Sequence, residues 1–248
     1  MFIENLERGL IYIHKLYVYP MWQNFHEDEV VNSAAVVIDV FRASNTIISA
    51  LGNGAKEIIP VAEINLAQDL KEKHPEYLLG GERNSLKIEG FDLGNSPLEY
   101  TQIKVNNKTV ILATSNGSKA LKKVDKADIV LIASFANIKA IVKKLKELEK
   151  DIHIVCAGTL GTPSLEDTLA AGKIVDELMN ITDFNLNDYA YLTLGSYHNY
   201  KFSIYNTLLK SRNGLRLQEL GKMADIRHCS QVDTTELIPI YIENKITL

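Results

Sequence analysis

From Ala34 to about Met179, short apolar runs rich in β-branched residues alternate with segments of helical period. Ala34–Asp39, Glu57–Val61, Tyr77–Gly80, Thr109–Thr114, Asp128–Ala133 and Asp151–Cys156 read as strands. Several are unbroken apolar runs, the pattern of strands covered on both faces. Between them, Ala43–Leu51, Ile64–Lys73, Gly117–Lys123, Ile138–Leu148 and Leu165–Met179 carry the period of helices. Such alternation predicts an α/β protein, a three-layer αβα arrangement around a largely parallel or mixed central sheet. An earlier run, Ile11–Tyr19, is expected to pair at an edge of that sheet. Past Ile181 the pattern loosens. Tyr189, Tyr191, Tyr197, Tyr200 and Tyr205 crowd one stretch and read as packing residues, Gly214–Lys222 as a short helix, and Leu237–Ile240 as a final strand. No repeat or low-complexity linker interrupts the chain, so a single domain over residues 1–248 is the simplest organisation.

Composition narrows the partners. The formal charge is -4 and no run of five or more like charges occurs. The most basic stretch, Lys143, Lys144, Lys146 and Lys150, is interleaved with Glu147 and Glu149, a solvated helix face rather than a one-signed footprint for nucleic acid. No apolar run approaches the ~20 residues of a membrane span, and the start of the sequence lacks the pattern of a secretory signal. Cys156 and Cys229 lie far apart, and Cys156 follows an apolar run, as a reduced, buried thiol does. These features predict a cytoplasmic protein that binds neither nucleic acid nor membrane, with a homo-oligomer left open.

In open parallel sheets, ligands bind beyond the carboxyl ends of the strands. The segments that follow the proposed strands therefore outline a site. They are Asp39–Ser44, Gly80–Arg83, Thr114–Ser118, Ser134–Asn137, Cys156–Thr159 and then Ser164–Asp167, with a further loop at Gly90–Pro97. Hard oxygen ligands from Asp39, Glu82 or Asp92 suit Mg²⁺, which takes few protein ligands and keeps waters. Arg42 and Arg83 offer planar forks for a phosphate or another oxyanion. Gly117 opens a helix whose amides can take a phosphate oxygen, and Ser115 and Asn116 add donors. Plainer roles exist for the same residues. Ser164–Asp167 fits a helix capping box, Asn137 an N-cap, Asp39 a cap on the Ala43 helix. Arg42 and Arg83 can be surface ion pairs, Gly80–Gly81 a tight turn, and Cys156 a core thiol.

Familiar phosphotransfer motifs are missing. No P-loop and no Gly-x-Gly-x-x-Gly at a strand end is present. Phe41 occupies the second acidic place of an Asp-x-Asp pair, Thr162 stands where a tyrosine phosphatase needs Arg, and the histidines show no zinc spacing. Residue chemistry alone stops at metal-assisted chemistry on a small anion.

Taken in order, these segments resemble one family, the 2-phosphosulfolactate phosphatases of coenzyme M biosynthesis. The likeness is carried by Val37–Ser44, Leu79–Arg83, Ile88–Pro97, Thr114–Gly117, Ser134–Asn137, Cys156–Thr159 and Ser164–Asp167, over roughly residues 34–180. It implies an unusual αβα fold, dependence on Mg²⁺, and hydrolysis of 2-phosphosulfolactate to sulfolactate and phosphate. On that resemblance, Mg²⁺ is held by Asp39 with one or more of Glu82, Asp92 and Asp167. Arg42 and the amides around Asn116–Gly117 then face the phosphoryl oxygens, and Arg83 takes the substrate's second anion. Either water attacks directly or Asp39 first takes the phosphoryl group; water is favoured, because no second acid sits beside Asp39 to protonate the leaving alkoxide. The chain departs from the family at Asn45, at Ser115 and Ser118, which replace threonines, and at Asn84-Ser85, which replaces glycines.

Overall fold

The computed structural model describes residues 13–248. Its strands are β1 Lys15–Tyr19, β2 Ala34–Ile38, β3 Glu57–Val61, β4 Leu78–Arg83, β5 Leu86–Lys87, β6 Thr109–Ala113, β7 Ile129–Ala133, β8 Ile152–Cys156, β9 Asn185–Leu186, β10 Ile240–Ile242 and β11 Lys245–Thr247. The helices are α1 Ala43–Gly52, α2 Ile64–Lys73, α3 Gln102–Val105, α4 Gly117–Lys123, α5 Ile138–Leu148, α6 Leu165–Met179, α7 Asp188–Tyr200, α8 Ile204–Leu208, α9 Arg212–Glu219 and α10 Met223–Cys229. The strands form one mixed sheet in the order β5-β4-β6-β3-β11-β10-β7-β2-β8-β1-β9.

Two parallel blocks make up this sheet. One joins β7, β2, β8, β1 and β9, the other β3, β6 and β4. The C-terminal hairpin β10–β11 lies between them and is antiparallel to both. Its turn, Glu243-Asn244, has both residues at positive φ, 48° and 62°, as a two-residue hairpin requires. Three antiparallel steps reverse the strand sense between the blocks. Residues that follow strands of both blocks nonetheless line one cleft.

The unbroken apolar strands are buried on both faces, as their sequences predict. Along β2, Ala34, Val36 and Ile38 face a core shared with Leu131, Ile138, Ile141, Ile154 and Ile174 under α5 and α6. Ala35 and Val37 face the opposite layer, with Ile47, Leu121, Val110 and Leu112 under α1 and α4. A smaller cluster seats α2, through Ala67, on Val61, Leu79 and Ile111. On α5 the apolar side is buried, while Lys144 and Lys150 pair with Glu147 and Asp128 on the wet side.

Four expectations change. The Ile11–Tyr19 run begins outside the described residues, and its observed part, β1, is interior, flanked by β8 and by the two-residue β9. The final strand starts at Ile240 and gains a partner in β11. The Gly214–Lys222 helix runs instead over Arg212–Glu219. The tyrosine-rich stretch is helix α7 and the start of α8; Tyr197 and Tyr205 pack as expected, whereas Tyr189, Tyr191 and Tyr200 are exposed. Where α7 meets α6 at Gly172, Thr193 and the Cβ of Tyr197 lie against the glycine. A Cβ at Gly172 would stand 2.2 Å from the Thr193 carbonyl oxygen.

That contact sets two effects against each other. Gly to Ala inside a helix gains about 1 kcal/mol of propensity, whereas overpacking against rigid backbone costs ~1–3 kcal/mol. Steric cost wins, so Gly172→Ala is expected to lower the melting temperature by several degrees. An unchanged or raised melting temperature in a thermal scan would contradict this packing.

Candidate active site

A cleft of ≈ 380 Å³ opens where the two blocks converge, large enough for a small organic phosphate. Asp39 and Arg42 reach it from the exit of β2, Glu82, Asn84 and Ser85 from the β4–β5 turn, and Thr114, Ser115 and Asn116 from the exit of β6. Gly158 and Thr159 follow β8, and α9 closes the far side with Arg212, Asn213 and Arg216.

Asp39 is held by its own helix. Its Oδ1 accepts from the Ala43 amide at 3.3 Å, and its backbone N–H donates to Ser44 Oγ at 2.9 Å. Gly117 is needed beside it, because a Cβ there would stand 2.8 Å from Asp39 Oδ2. Burial drives the Asp39 pKa up to about 7, the Ala43 amide opposes this, and the charges of Glu82 and Glu166 add to the rise.

Behind Asp39 lie two more acids. Asp167 is 2% exposed. Its Oδ1 accepts from the Val40 amide at 2.8 Å and its Oδ2 from Gly158 at 3.1 Å. One carboxylate thus ties the exits of β2 and β8 together. Burial and the neighbouring Asp39 and Glu166 hold its carboxyl well above the usual range. Glu166 is 1% exposed; its Oε1 accepts from Asn213 Nδ2 at 2.5 Å, and its Oε2 is buried with no hydrogen-bond partner among the described residues. Its pKa is raised by burial, against the hydrogen bond from Asn213.

The remaining sequence candidates separate into those that join the cleft and those that do not. Glu82 joins it, gripped by the Ser115 hydroxyl at 2.8 Å and amide at 3.1 Å on Oε1 and by the Ser85 amide at 2.8 Å on Oε2. Ser115 therefore orients Glu82, and Asn116 lines the cleft next to it. Arg42 joins it too, but 4% exposed and partly committed. Its Nη1 donates to Asp225 Oδ2 at 2.6 Å and its Nη2 to the Ser85 carbonyl at 2.8 Å.

Arg83 does not line the cleft; it donates to the carbonyls of Glu82 and Ala62. Asp92 is also away from it, with Oδ2 accepting from the Leu79 amide at 2.8 Å and Lys71 Nζ 3.9 Å off. The capping-box reading of Ser164–Asp167 does not hold either, since Ser164 makes no side-chain cap and Asp167 turns to Val40 and Gly158. Gly80 and Gly81 mark close approach within β4 rather than a turn, as a Cβ would meet the Tyr100 hydroxyl or the Ala113 carbonyl at 2.2 Å. Asn137 caps within its own turn, and Cys156 is a buried thiol raised by burial and Asp167.

Sequence reasoning missed Glu166 as more than a cap, and missed Asn213, Asp225 and Ser96, whose hydroxyl donates to Asp225 at 2.6 Å. With Glu166 and Asp167 beside it, Asp39 has the acidic neighbours the sequence had seemed to deny it. The Asn84-Ser85 turn places both residues at positive φ, 55° and 68°, a conformation that glycine adopts more readily.

The class that fold and site define is a mixed-sheet α/β protein with carboxylates, hydroxyls, amides and guanidinium groups gathered in one cleft at its strand ends. A family model described as 2-phosphosulpholactate phosphatase matches residues 20–244, and the chain belongs to that family. Among its relatives, a protein of Caldanaerobacter subterraneus subsp. tengcongensis named "Probable 2-phosphosulfolactate phosphatase" is 41% identical over 226 residues, 90% of this chain and 94% of the other. Proteins of the same name from Clostridium novyi and Symbiobacterium thermophilum are 38% and 36% identical, each covering 89% of this chain and 94% and 96% of their own. No helix among the described residues is long and apolar enough to cross a membrane.

The raised acid at Asp39 has a stability signature. Its folded pKa exceeds the unfolded one, so its contribution is fully present below about pH 4 and is lost as pH rises through about 7. Asp39→Asn is therefore expected to stabilise the fold, by an increment that grows from pH 4 to 7 and levels off above. Melting temperatures of both forms at pH 5 and pH 8, without divalent ions, check this. An increment equal at both values would contradict it.

Proposed function

We propose that this chain is a Mg²⁺-dependent phosphatase that hydrolyses 2-phosphosulfolactate to sulfolactate and phosphate. The reading rests on one observation above others, that Asp39, Arg42, Glu82 and Asn116 meet in a single cleft in a chain of this family. The names of the relatives support the substrate.

The donor set fits a divalent ion. No group of three or more His, Cys, Asp or Glu side chains arranged to hold a metal occurs among the described residues. Mg²⁺, however, uses one or two carboxylates and keeps its waters. The unpartnered Oε2 of Glu166 and the carboxylate charge that burial disfavours at Asp39 are what a cation would satisfy. Asp39 and Glu82 are the residues to hold it, with Glu166 and Asp167 behind. Bound there, Mg²⁺ supplies charge neutralisation at the phosphoryl group and orients a water.

The chain does the rest. Asn116 and the remaining N–H groups of Arg42 stabilise charge on the equatorial phosphoryl oxygens as a water oxygen bonds to phosphorus, the bond from phosphorus to the ester oxygen breaks, and that oxygen takes up the proton the water loses. Ser115 fixes Glu82, and Asp167 fixes the loops on either side of Asp39. Arg42 has a second duty, because its removal would strand the buried Asp225 charge at a cost of ~3–5 kcal/mol. Substitution of Arg42 therefore tests folding as much as catalysis.

Asp39→Asn and Asn116→Ala are the cleaner probes. Each is expected to lower turnover of 2-phosphosulfolactate by ~10²–10³-fold at unchanged fold, and EDTA is expected to abolish phosphate release that added Mg²⁺ restores. Wild-type rates in both variants, or full activity in EDTA, would sink the proposal.

A further inference from the structure

Resting on that functional reading, we propose that Arg212 and Arg216 of α9 bind the sulfonate of the substrate and so select for it. The cleft is lined by three arginines, and they are not equivalent. Arg42 is locked into a buried ion pair with Asp225 at 2.6 Å. Arg212 and Arg216 are exposed, one helical turn apart on the same face of α9. Arg212 Nη1 donates only to a neutral hydroxyl, Thr162 Oγ1, at 3.2 Å. Arg216 Nη1 lies 3.2 Å from Glu219 Oε2, and both partners are open to solvent. An exposed pair of this kind contributes little, so Glu219 yields readily to a substrate oxyanion. Arg83, the other candidate for this role, points out of the cleft to the Ala62 and Glu82 carbonyls.

The helix carrying these arginines is pinned to the reaction centre. Ser211 caps it through the Gly214 amide at 3.0 Å. Asn213, next to Arg212, donates to Thr159 Oγ1 at 2.7 Å and to Glu166 Oε1 at 2.5 Å. The same turn of α9 thus touches the acidic group behind Asp39 and presents Arg212 to the cleft, so the arginines face the phosphoryl site from across it. The substrate carries two further anions besides its phosphate. Its carboxylate sits on the carbon that bears the phosphate, whereas its sulfonate is one carbon further out. Guanidinium forks suit an oxyanion of this geometry.

Arg212→Gln and Arg216→Gln, singly and together, test the assignment with 2-phosphosulfolactate and with 2-phospholactate, which keeps phosphate and carboxylate but has no sulfonate. A charge-assisted contact is worth about 10-fold or more. The double variant is therefore expected to lose ~100-fold in kcat/KM with 2-phosphosulfolactate, mostly through KM, and at least tenfold less than that with 2-phospholactate. Arg216→Lys should recover part of the loss. Equal losses with both substrates, or a loss confined to kcat, would overturn the assignment and mark α9 as structural. Unchanged kinetics in an active enzyme would overturn it alone, whereas wild type that releases no phosphate from 2-phosphosulfolactate would overturn the functional reading with it.

Discussion

Several carboxylates, Asp39, Glu82, Glu166 and Asp167, are gathered where the carboxyl ends of two strand blocks meet, and burial makes charge costly at Asp39, Glu166 and Asp167. The chain offsets part of that cost with the Val40 and Gly158 amides on Asp167 and the Asn213 side chain on Glu166, while the Ser85 and Ser115 amides hold Glu82. Those bonds determine how the loops after β2, β4, β6 and β8 are held. They leave one oxygen, Glu166 Oε2, unmet, and they leave Asp39 at a proton affinity near neutrality. A group of this kind is stabilised by a proton or by a cation.

The C-terminal third, which looked irregular in the sequence, closes the site. Asp225 on α10 takes Arg42 and Ser96 at once, so a buried ion pair joins the β2 exit, the Gly90–Pro97 loop and the last helix. Asn213 on α9 does the same for Glu166 and Thr159. Even the final hairpin has a central place, since β10 and β11 bridge the two parallel blocks that supply the catalytic edge.

Much of this was legible in the sequence, for identifiable reasons. Unbroken apolar strands such as Ala34–Ile38 and helices of clean period such as Ile138–Leu148 appear where their patterns place them, because burial on two faces or one leaves a periodic trace. The rule that ligands gather beyond strand ends found Asp39, Arg42, Glu82 and Asn116. What it could not do was say which way a side chain turns. Arg83 is one residue from Glu82 and Asp92 sits in a matching loop, yet both face backbone groups outside the cleft. Partners 183 and 47 residues away, such as Asp225 for Arg42 and Asn213 for Glu166, leave no local signal at all. Helix α7 escaped notice because its contact face of Ala190, Thr193 and Tyr197 is small or polar for the most part, while Tyr189, Tyr191 and Tyr200 are exposed, a blurred version of the usual amphipathic pattern.

The central claim is that charge at Asp39 is disfavoured by its buried acidic surroundings until a cation is supplied. Carbon-detected NMR titration of the aspartate carboxyls in the metal-free protein measures this directly. One aspartate is expected to titrate near pH 7, to vanish from the spectrum of Asp39→Asn, and to shift to lower pH when Mg²⁺ is added. A metal-free Asp39 that titrates in the ordinary range of about 4 would contradict the account.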